Sequence, residues 1–314
     1  MSVTSVSETS KPVGPTGAPT TVPPTADMRW NGWGDPALAK DLPLAVRALL
    51  PMKLGRVPKA APAANLEDVV LEASALSDED LAALAAVVGG EHVIATNEAR
   101  VRHAGGRSTP DLLRRREREQ QAPDGVVSPH SHEEVLTVLE LAAERDLAVI
   151  PFAGGTSVVG ALDPEPGPHR AVIALNLRGL SGLVHLDELS GEARFAAGTT
   201  GPEAERLLAA RGFELGHFPQ SFLYATLGGF AAARSSGQNS AGNGRFDTMV
   251  LGMRVATPTG DLSLGVAPGT SVGPDLMRMF IGSEGIFGVI TELTLRVHRI
   301  AEARSCEAWT FPDF

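Results

Sequence analysis

Cysteine, lysine and tyrosine are scarce in this chain of 314 residues. It contains one cysteine, Cys306, four lysines and one tyrosine, Tyr224. A single cysteine cannot form an internal disulfide or a cysteine-built zinc site, which fits a reducing compartment. No stretch is apolar for long enough to predict a membrane-spanning helix, and the first residues lack the apolar core of a signal peptide. These absences favour a cytoplasmic location.

Positive charge is also in deficit. The formal net charge is −10 and the pI is near 5.3. A protein that binds phosphate backbones needs an excess of lysine and arginine, so nucleic acid is not an expected partner. The remaining composition, with 43% hydrophobic residues, 20% charged residues and 34 glycines, is typical of a globular protein. The excess of arginine over lysine and the many alanines are typical of a bacterium with a GC-rich genome.

The composition changes along the chain and predicts four regions. Residues 1–27 are mainly Ser, Thr, Pro, Gly and Val, and we expect them to form a disordered tail. Residues 28–118 are predicted to be mainly helical, with Ser77 as the N-cap of a helix whose first turn is acidic. Residues 119–298 would form the main domain. Residues 299–314 begin a strand-like stretch with nothing to pack against, which predicts that the chain is a truncated fragment.

The main region carries alternating strand and helix signals. Ser131 and Glu134 have the capping-box spacing of a helix that precedes a short buried strand, residues 147–150. A strand, helix, strand unit is the natural interpretation. Farther along, the turn at residues 258–261 predicts a hairpin, and residues 289–298 alternate so that one face of a strand is buried. The pattern as a whole predicts a mixed α+β fold.

The first glycine segment, residues 151–157, directly follows the buried strand and has the sequence Pro-Phe-Ala-Gly-Gly-Thr-Ser. Consecutive glycines let several backbone N–H groups converge, and Thr156 and Ser157 add hydroxyl donors, so the segment can hold an anion such as a diphosphate. A plain glycine turn is the alternative. The segment is neither G-x-G-x-x-G nor a P-loop, so doubly wound nicotinamide binding and P-loop ATP hydrolysis lose support.

Two further segments are rich in small residues. The second glycine segment, residues 220–237, would let a large planar ligand lie against the backbone, and Arg234 offers a fork of donors. A tightly packed core helix is the alternative there. The third glycine segment, residues 282–290, precedes the alternating strand. Ser283 does not stand in G-x-S-x-G because Ile281 occupies the first position, so a serine-hydrolase elbow is not supported.

Taken together and in this order, the three segments resemble the FAD-binding domain of the vanillyl-alcohol oxidase and p-cresol methylhydroxylase (PCMH) flavoprotein superfamily. The resemblance runs over residues 28–314. The opening Trp-Asn-Gly-Trp-Gly at residues 30–34 and Gly-His-Phe-Pro at residues 216–219 favour the alkylglycerone-phosphate synthase branch. The resemblance implies a PCMH-type FAD-binding domain of two α+β subdomains, preceded by a helical region. It also implies that most of a C-terminal cap domain is missing.

The resemblance also implies where FAD binds. The first glycine segment would hold the diphosphate, residues 220–226 and 233–236 of the second would line the flavin, and residues 284–290 of the third would close around the cofactor. No histidine lies in the first segment to tether the flavin, so the FAD is predicted to be non-covalent. The predicted cofactor-binding residues are Pro151, Phe152, Ala153, Gly154, Gly155, Thr156, Ser157, Gln220, Ser221, Thr226, Gly228, Gly229, Ala233, Arg234, Ser235, Ser236, Glu284, Gly285, Gly288, Val289 and Ile290.

The function implied by the resemblance is a flavoenzyme of ether-lipid chemistry. It would exchange the acyl group of acyl-dihydroxyacetone phosphate for a long-chain alcohol, with flavin N5 forming a covalent adduct and no net oxidation. The family's catalytic tyrosine and histidine come from the missing cap, so no catalytic residue is assigned. Two alternatives stay open: an FAD-linked oxidoreductase such as a D-lactate or other 2-hydroxy-acid dehydrogenase, and a truncated FAD-binding module without turnover.

Substrate and partners follow from the same resemblance. We expect a small-molecule or lipid-like substrate, and peripheral membrane contact and a homodimer stay open. The chain departs from the family pattern at Ala153, where a third glycine is usual, at Ile286 and Phe287, where Thr and Leu are usual, and at Gln220, where an acid is common. These departures bear on the substrate more than on FAD.

Other polar residues receive structural interpretations. His130 and His132 form a His-x-His pair without an evident third ligand, so a surface turn rather than a metal site is expected. His217 would either face the flavin or substrate or be a partly buried histidine. The charged run at residues 114–118 is predicted to be a solvated helix face, and Tyr224 is predicted to pack.

Overall fold

The computed structural model of the chain describes residues 28–55, 64–265 and 273–303. The predicted tail and most of the C-terminal stretch lie outside the described residues. The α-helices are α1 (Leu44–Leu54), α2 (Asp78–Val88), α3 (Asn97–Arg102), α4 (Thr109–Arg114), α5 (His132–Glu144), α6 (Gly201–Ala209), α7 (Leu227–Ala232), α8 (Ser240–Asn243), α9 (Phe246–Met249) and α10 (Leu276–Phe280). The strands are β1 (Val93–Ile94), β2 (Gly125–Val127), β3 (Leu147–Phe152), β4 (Ala171–Asn176), β5 (Leu183–Asp187), β6 (Glu192–Ala196), β7 (Phe213–Glu214), β8 (Val250–Thr257), β9 (Gly260–Leu264), β10 (Val289–Arg296) and β11 (His298–Arg299).

The part of the chain before β2 contains α1 to α4 and the short strand β1. The predicted N-cap of α2 is confirmed, because Asp80 N donates to Ser77 Oγ at 3.2 Å and Ser77 N donates to the Asp80 carboxylate at 2.9 Å. Asp80 is buried and also accepts from Arg145 and Arg170 at 3.0 and 2.7 Å. The N-terminal region is thereby attached to the first sheet, while its boundaries stay predictions.

The first sheet has the strand order β1, β2, β4, β3. Strands β2, β4 and β3 run parallel, and α5 packs its apolar face, including Val135 and Val138, against them. The predicted strand, helix, strand unit is confirmed. Strand β3 continues through Pro151 to Phe152 instead of ending at Ile150. Proline is tolerated there because β3 is an edge strand, where a missing N–H costs no central ladder bond.

The second sheet is antiparallel, in the order β5, β6, β10, β8, β9. Its core contains Phe195 and Leu293 from the sheet and Leu208, Phe230 and Phe246 from the helices α6, α7 and α9. The predicted hairpin is confirmed as β8 and β9, and the alternating strand as β10. A separate two-stranded ladder joins β7 to β11. The two sheets, each packed with its own helices, therefore form two α+β units, as expected for two subdomains.

The two sheets meet at the N-terminus of α5. His132 is 4% exposed, and its Nδ1 lies 2.7 Å from Thr291 Oγ1 on β10. Its Nε2 lies 3.2 Å from the carboxylate of Asp261 on β9. The predicted surface turn is wrong for His132, because α5 begins directly against the second sheet. Within residues 28–55, 64–265 and 273–303, no group of three or more His, Cys, Asp or Glu side chains is arranged to hold a metal ion.

None of the helices in the described part of the chain is both long enough and apolar enough to cross a membrane.

Candidate cofactor site

A cleft with a cavity volume of about 190 Å³ lies where the three glycine segments meet. The predicted residues in its lining are Pro151, Phe152, Ala153, Gly154, Gly155, Thr156, Ser157, Ser221, Thr226, Gly228, Gly229, Ala233, Ser235, Glu284, Gly285, Gly288, Val289 and Ile290. Ala225, inside the predicted flavin-lining range 220–226, is also in the lining. Five further lining residues were not predicted: Leu162, Leu177, Ala197, Phe230 and Ala232.

The first glycine segment begins at the carboxyl end of the edge strand β3 and turns sharply. Gly155 has a φ of +62°, which favours glycine. A Cβ on Gly154 would lie 2.4 Å from the carbonyl oxygen of Tyr224, so only glycine allows the first and second segments to touch. Among the described residues, the backbone N–H groups of Gly154, Gly155, Thr156 and Ser157 donate no hydrogen bond to the protein. Four successive donors are therefore available to a ligand in the cleft.

The opposite side of this segment rests on residues 103–107. Arg107 N donates to Ser157 O at 2.7 Å, and Gly105 N donates to Leu162 O at 2.9 Å. A Cβ on Gly106 would lie 2.1 Å from Ser157 O, so the two backbones are in direct contact. The structural role of residues 103–107 is to support the first glycine segment.

Buried arginines lie behind that support. The Arg115 guanidinium, 4% exposed, donates to the carbonyl oxygens of Trp30, Ala104, Gly105 and Gly106. Burial lowers the pKa of Arg115 to about 9, to which nearby Arg107 contributes. The predicted solvated helix face is therefore wrong at Arg115. The reason is that α4 ends at Arg114. The side chain of Arg115 therefore turns inward, where the carbonyl groups of residues 104–106 need donors.

We call Arg107, Arg114, Arg115, Asp111 and Asp163 the arginine cluster. Arg107 is 6% exposed, and burial lowers its pKa to about 10. Arg114 donates to the carboxylates of Asp111 and Asp163 at 2.5 and 2.8 Å. The two acids offset part of the positive charge that is buried behind the loop.

The second glycine segment includes the buried helix α7. The Thr226 hydroxyl accepts from Gly229 N at 3.3 Å and caps the helix, and Gly228 N donates to Ala197 O at 2.8 Å. The core-helix interpretation is right for α7, whose Leu227 and Phe230 are buried. The same segment also lines the cleft, and Phe230 belongs both to the core and to the lining.

Ser235, at the end of this lining, is backed by a buried histidine. His217 is 1% exposed, lies between the rings of Phe230 and Phe246, and places its Nε2 2.9 Å from Ser235 Oγ. Burial lowers the pKa of His217 to about 4, so the ring is neutral at neutral pH. His217 is therefore one side chain removed from the cleft and positions the Ser235 hydroxyl.

Three predicted cofactor residues, Gln220, Arg234 and Ser236, are exposed and lie outside the lining. Arg234 adopts a left-handed φ of +50°. Its Nε donates to Ile281 O at 2.9 Å and its Nη2 to Arg278 O at 3.3 Å. The guanidinium thus fastens the second glycine segment to the chain just before the third.

The third glycine segment closes the cleft opposite the first. Glu284 has a φ of +53°, and its N–H donates to Ala232 O at 3.1 Å. A Cβ on Gly285 would lie 2.9 Å from Pro151 Cγ. Glu284 is part of the lining, and burial raises the pKa of its carboxyl group. Close contacts among all three segments make the cleft one continuous site.

The residues present fit FAD. The successive backbone N–H groups of residues 154–157 and the hydroxyls of Thr156 and Ser157 are the kind of donors that a diphosphate needs. The rest of the lining is mainly apolar, with a few hydroxyls such as those of Ser221, Thr226 and Ser235, as suits a planar ring system.

Comparisons with known proteins agree with this geometry. A family model described as an FAD binding domain matches residues 123–263. The chain is 34% identical over 313 residues to alkyldihydroxyacetonephosphate synthase of Trypanosoma brucei brucei, which covers 92% of this chain and 51% of that protein. It is 32% identical over 195 residues to mitochondrial D-lactate dehydrogenase (cytochrome) of Arabidopsis thaliana, which covers 60% of this chain and 33% of that protein.

Solved structures give the same result. A structure of alkyldihydroxyacetonephosphate synthase matches with a TM-score of 0.78 at 31% identity, covering 88% of this chain and 55% of that one. p-Cresol methylhydroxylase matches with a TM-score of 0.58 at 19% identity over 71% of this chain and 43% of that one, which shows a shared fold. The chain spans about half the length of the synthases that it matches. It belongs to the PCMH-type FAD-binding flavoproteins, has FAD as its cofactor, and within that superfamily is similar to the alkyldihydroxyacetonephosphate synthases.

Proposed function

We propose that the chain is the FAD-binding part of an enzyme that exchanges the acyl group of acyl-dihydroxyacetone phosphate for a long-chain alcohol. The proposal rests on one observation. The three glycine segments line one cleft, and among its described lining residues the one ionisable group is the carboxyl group of Glu284. Similarity to synthases over 92% of the chain supports the reaction class. The chemistry belongs to ether-lipid synthesis and involves no net oxidation.

The lining suggests a role for each glycine segment. The N–H groups of Gly154 and Gly155 and the hydroxyls of Thr156 and Ser157 would bind the diphosphate. Ser235, held by His217, would hydrogen-bond at the flavin end. The bound flavin would supply the reactive centre, and the protein's share is to orient it and to keep water from it. Binding is proposed to be non-covalent.

Exposed apolar side chains lie within two positions of lining residues along the chain, and they suit a lipid-like substrate. Val158 and Val159 follow the first glycine segment, Leu223 lies in the second, and Ile286 and Phe287 lie in the third. Each is at least half exposed, at 57%, 68%, 53%, 80% and 51% respectively. Exposed apolar groups next to a ligand cleft favour an alkyl chain over a small hydroxy acid.

Peripheral contact with an anionic membrane is part of the same proposal. Leu44, Met52 and Leu54 on α1 are 83%, 81% and 70% exposed, and the helix carries Arg47 and Lys53 without an acid. Apolar and basic residues on one helix are typical of binding at a lipid interface. Co-sedimentation with anionic vesicles is expected to exceed that with neutral vesicles, and Met52→Glu should abolish the difference. Equal recovery with anionic and neutral vesicles would contradict the proposed membrane contact.

The expected homodimer is a separate proposal, and analytical ultracentrifugation tests it.

The first test is a visible absorption spectrum of the desalted protein before and after acid precipitation. Flavin released into the supernatant and identified as FAD is the expected result. Absence of flavin after incubation with FAD would contradict the proposed site.

The second test separates the candidate reactions. Release of fatty acid from acyl-dihydroxyacetone phosphate that depends on added long-chain alcohol supports the exchange. The similarity to a D-lactate dehydrogenase favours the alternative oxidoreductase, which predicts that D-lactate or another 2-hydroxy acid bleaches the bound flavin. FAD binding with neither activity would support the third interpretation, a cofactor-binding module.

A further inference from the structure

Among the residues that the structure describes, the cleft lining contains one ionisable side chain, the acidic Glu284. Its carboxyl makes no hydrogen bond or ion pair with the residues that the structure describes. An FAD diphosphate would therefore enter a cleft that has a carboxyl group in its lining and no cation to offset it.

The charged groups around Glu284 have other partners. Arg234 donates to Ile281 O and Arg278 O, and Arg278 Nη1 donates to Asp247 O at 3.1 Å. The first glycine segment and α7, which pack on the third segment, contain no ionisable side chain.

On the strand that follows the third segment, β10, the nearest acid is Glu292. It faces Arg194 and Arg254 at 3.8 and 4.0 Å. Burial is the cause of the raised pKa of Glu284. The surroundings of this carboxyl thus already disfavour its charged form.

The backbone keeps Glu284 at this position. Its left-handed φ of +53° is one that glycine adopts readily and glutamate does not. The Glu284 N–H donates to Ala232 O, and Gly285 abuts Pro151, so the residue is held between the other two glycine segments. Strained non-glycine residues of this kind concentrate at functional sites.

We propose that the Glu284 carboxyl takes up a proton when FAD binds, so that the chain binds FAD more tightly as the pH falls. The inference rests on FAD occupying this cleft, as in the proposed function. One proton passes from solvent to the carboxylate, which removes its repulsion of the anionic cofactor. The neutral acid then has an O–H that can donate to an oxygen or nitrogen of the ligand.

The sign of the effect follows from linkage. A bound anion raises the proton affinity of Glu284, so the complex holds more protons than the free protein between the two titration midpoints. In that interval the Kd for FAD rises with pH, by up to about tenfold per pH unit. Outside the interval the Kd is flat.

The test is calorimetric titration of the 314-residue chain with FAD in buffers of different ionisation enthalpy, from about pH 5.5 to 8.5. The expected result is net proton uptake by the wild type and none by Glu284→Gln, which keeps the shape of the side chain without its charge. Glu284→Gln is also expected to show a pH-independent Kd, at least as tight as the wild type at the alkaline end. Glu188→Gln, at an exposed turn, is the matched control and should titrate as the wild type does.

The outcomes separate this proposal from the cofactor site itself. FAD binding by the wild type with a flat Kd and no proton uptake overturns the role of Glu284 and leaves the site standing. Proton uptake that persists in Glu284→Gln assigns it to another group and also overturns the proposal. Failure of the wild type to bind FAD at any pH overturns the site and this inference together. The wild-type proton count needs no variant, so a poorly folding Glu284→Gln does not block the test.

Discussion

The cofactor cleft and the arginine cluster lie on opposite sides of the first glycine segment and differ in the chemical groups that form them. The cleft has backbone N–H groups, hydroxyls and one carboxyl in its lining. The arginine cluster has three guanidinium groups, and Arg115 alone donates to four backbone carbonyl groups. In this molecule the charged side chains support the loop, and the loop's own backbone is left to meet the ligand.

The physical reason for this division is that buried carbonyl groups need donors. The Arg115 guanidinium supplies them to Ala104, Gly105 and Gly106, which lie in the segment that contacts the first glycine segment. Arginine supplies several donors in one side chain. The comparison therefore predicts that changes behind the loop mainly affect folding, whereas changes in front mainly affect FAD affinity.

The largest effect is expected behind the loop, for Arg115→Met. The variant leaves buried carbonyl groups unpaired, and we expect the free energy of unfolding to fall by about 3 kcal/mol. Urea unfolding measures it. Arg118→Met, which changes an exposed side chain three residues away, is the control and should stay within about 0.5 kcal/mol of the wild type. Equal losses of unfolding free energy in the two variants would contradict the structural role of the arginine cluster.

Gly154→Ala tests the loop itself. The added Cβ would lie 2.4 Å from Tyr224 O, so the first and second glycine segments must move apart. Overpacking of this kind costs roughly 1–3 kcal/mol, which corresponds to a loss of about fivefold to 150-fold in FAD affinity. Quenching of FAD fluorescence measures the Kd. Gly90→Ala, where a Cβ meets nothing within 4 Å, should bind FAD as the wild type does.

His217→Gln tests whether the buried histidine behind Ser235 makes the free energy of unfolding depend on pH. The folded protein keeps His217 neutral down to about pH 4, whereas an unfolded histidine titrates near 6.5. The unfolded state therefore binds more protons between these values, and the wild type loses stability as the pH falls through this window. The variant should show a flatter dependence of unfolding free energy on pH. An unchanged slope would mean that His217 is accessible to protons in the folded state.

Ser235→Ala should have the smallest effect. It removes one hydroxyl from the lining and the partner of His217 Nε2, so FAD affinity is expected to fall about threefold to tenfold. Ser181→Ala, at an exposed position, serves as control. A loss of folding stability with an unchanged Kd for FAD would mean that Ser235 supports the fold and does not contact FAD.

Much of the local structure was predictable from short-range signals. The capping residues Ser77 and Ser131, the hairpin β8 and β9 and the alternation of β10 all act over a few residues. The three glycine segments were identified in the same way, and their convergence came from the family resemblance. Contacts that join distant parts of the chain had no such signal. His132 was misread for this reason, because its burial depends on Thr291, 159 residues away.

The sequence by itself predicted many of the helices and strands and where the chain can approach a ligand without Cβ atoms, because these features depend on residue size, capping and periodicity within a few positions. FAD was implied by the resemblance to a flavoprotein superfamily. Only the tertiary structure decided which face of the first glycine segment meets the ligand, that Arg115 turns inward, and that Glu284 is the one ionisable side chain among the described residues of the cleft lining. The reason is that each of these depends on burial, and burial is created by residues far apart in the chain that pack together.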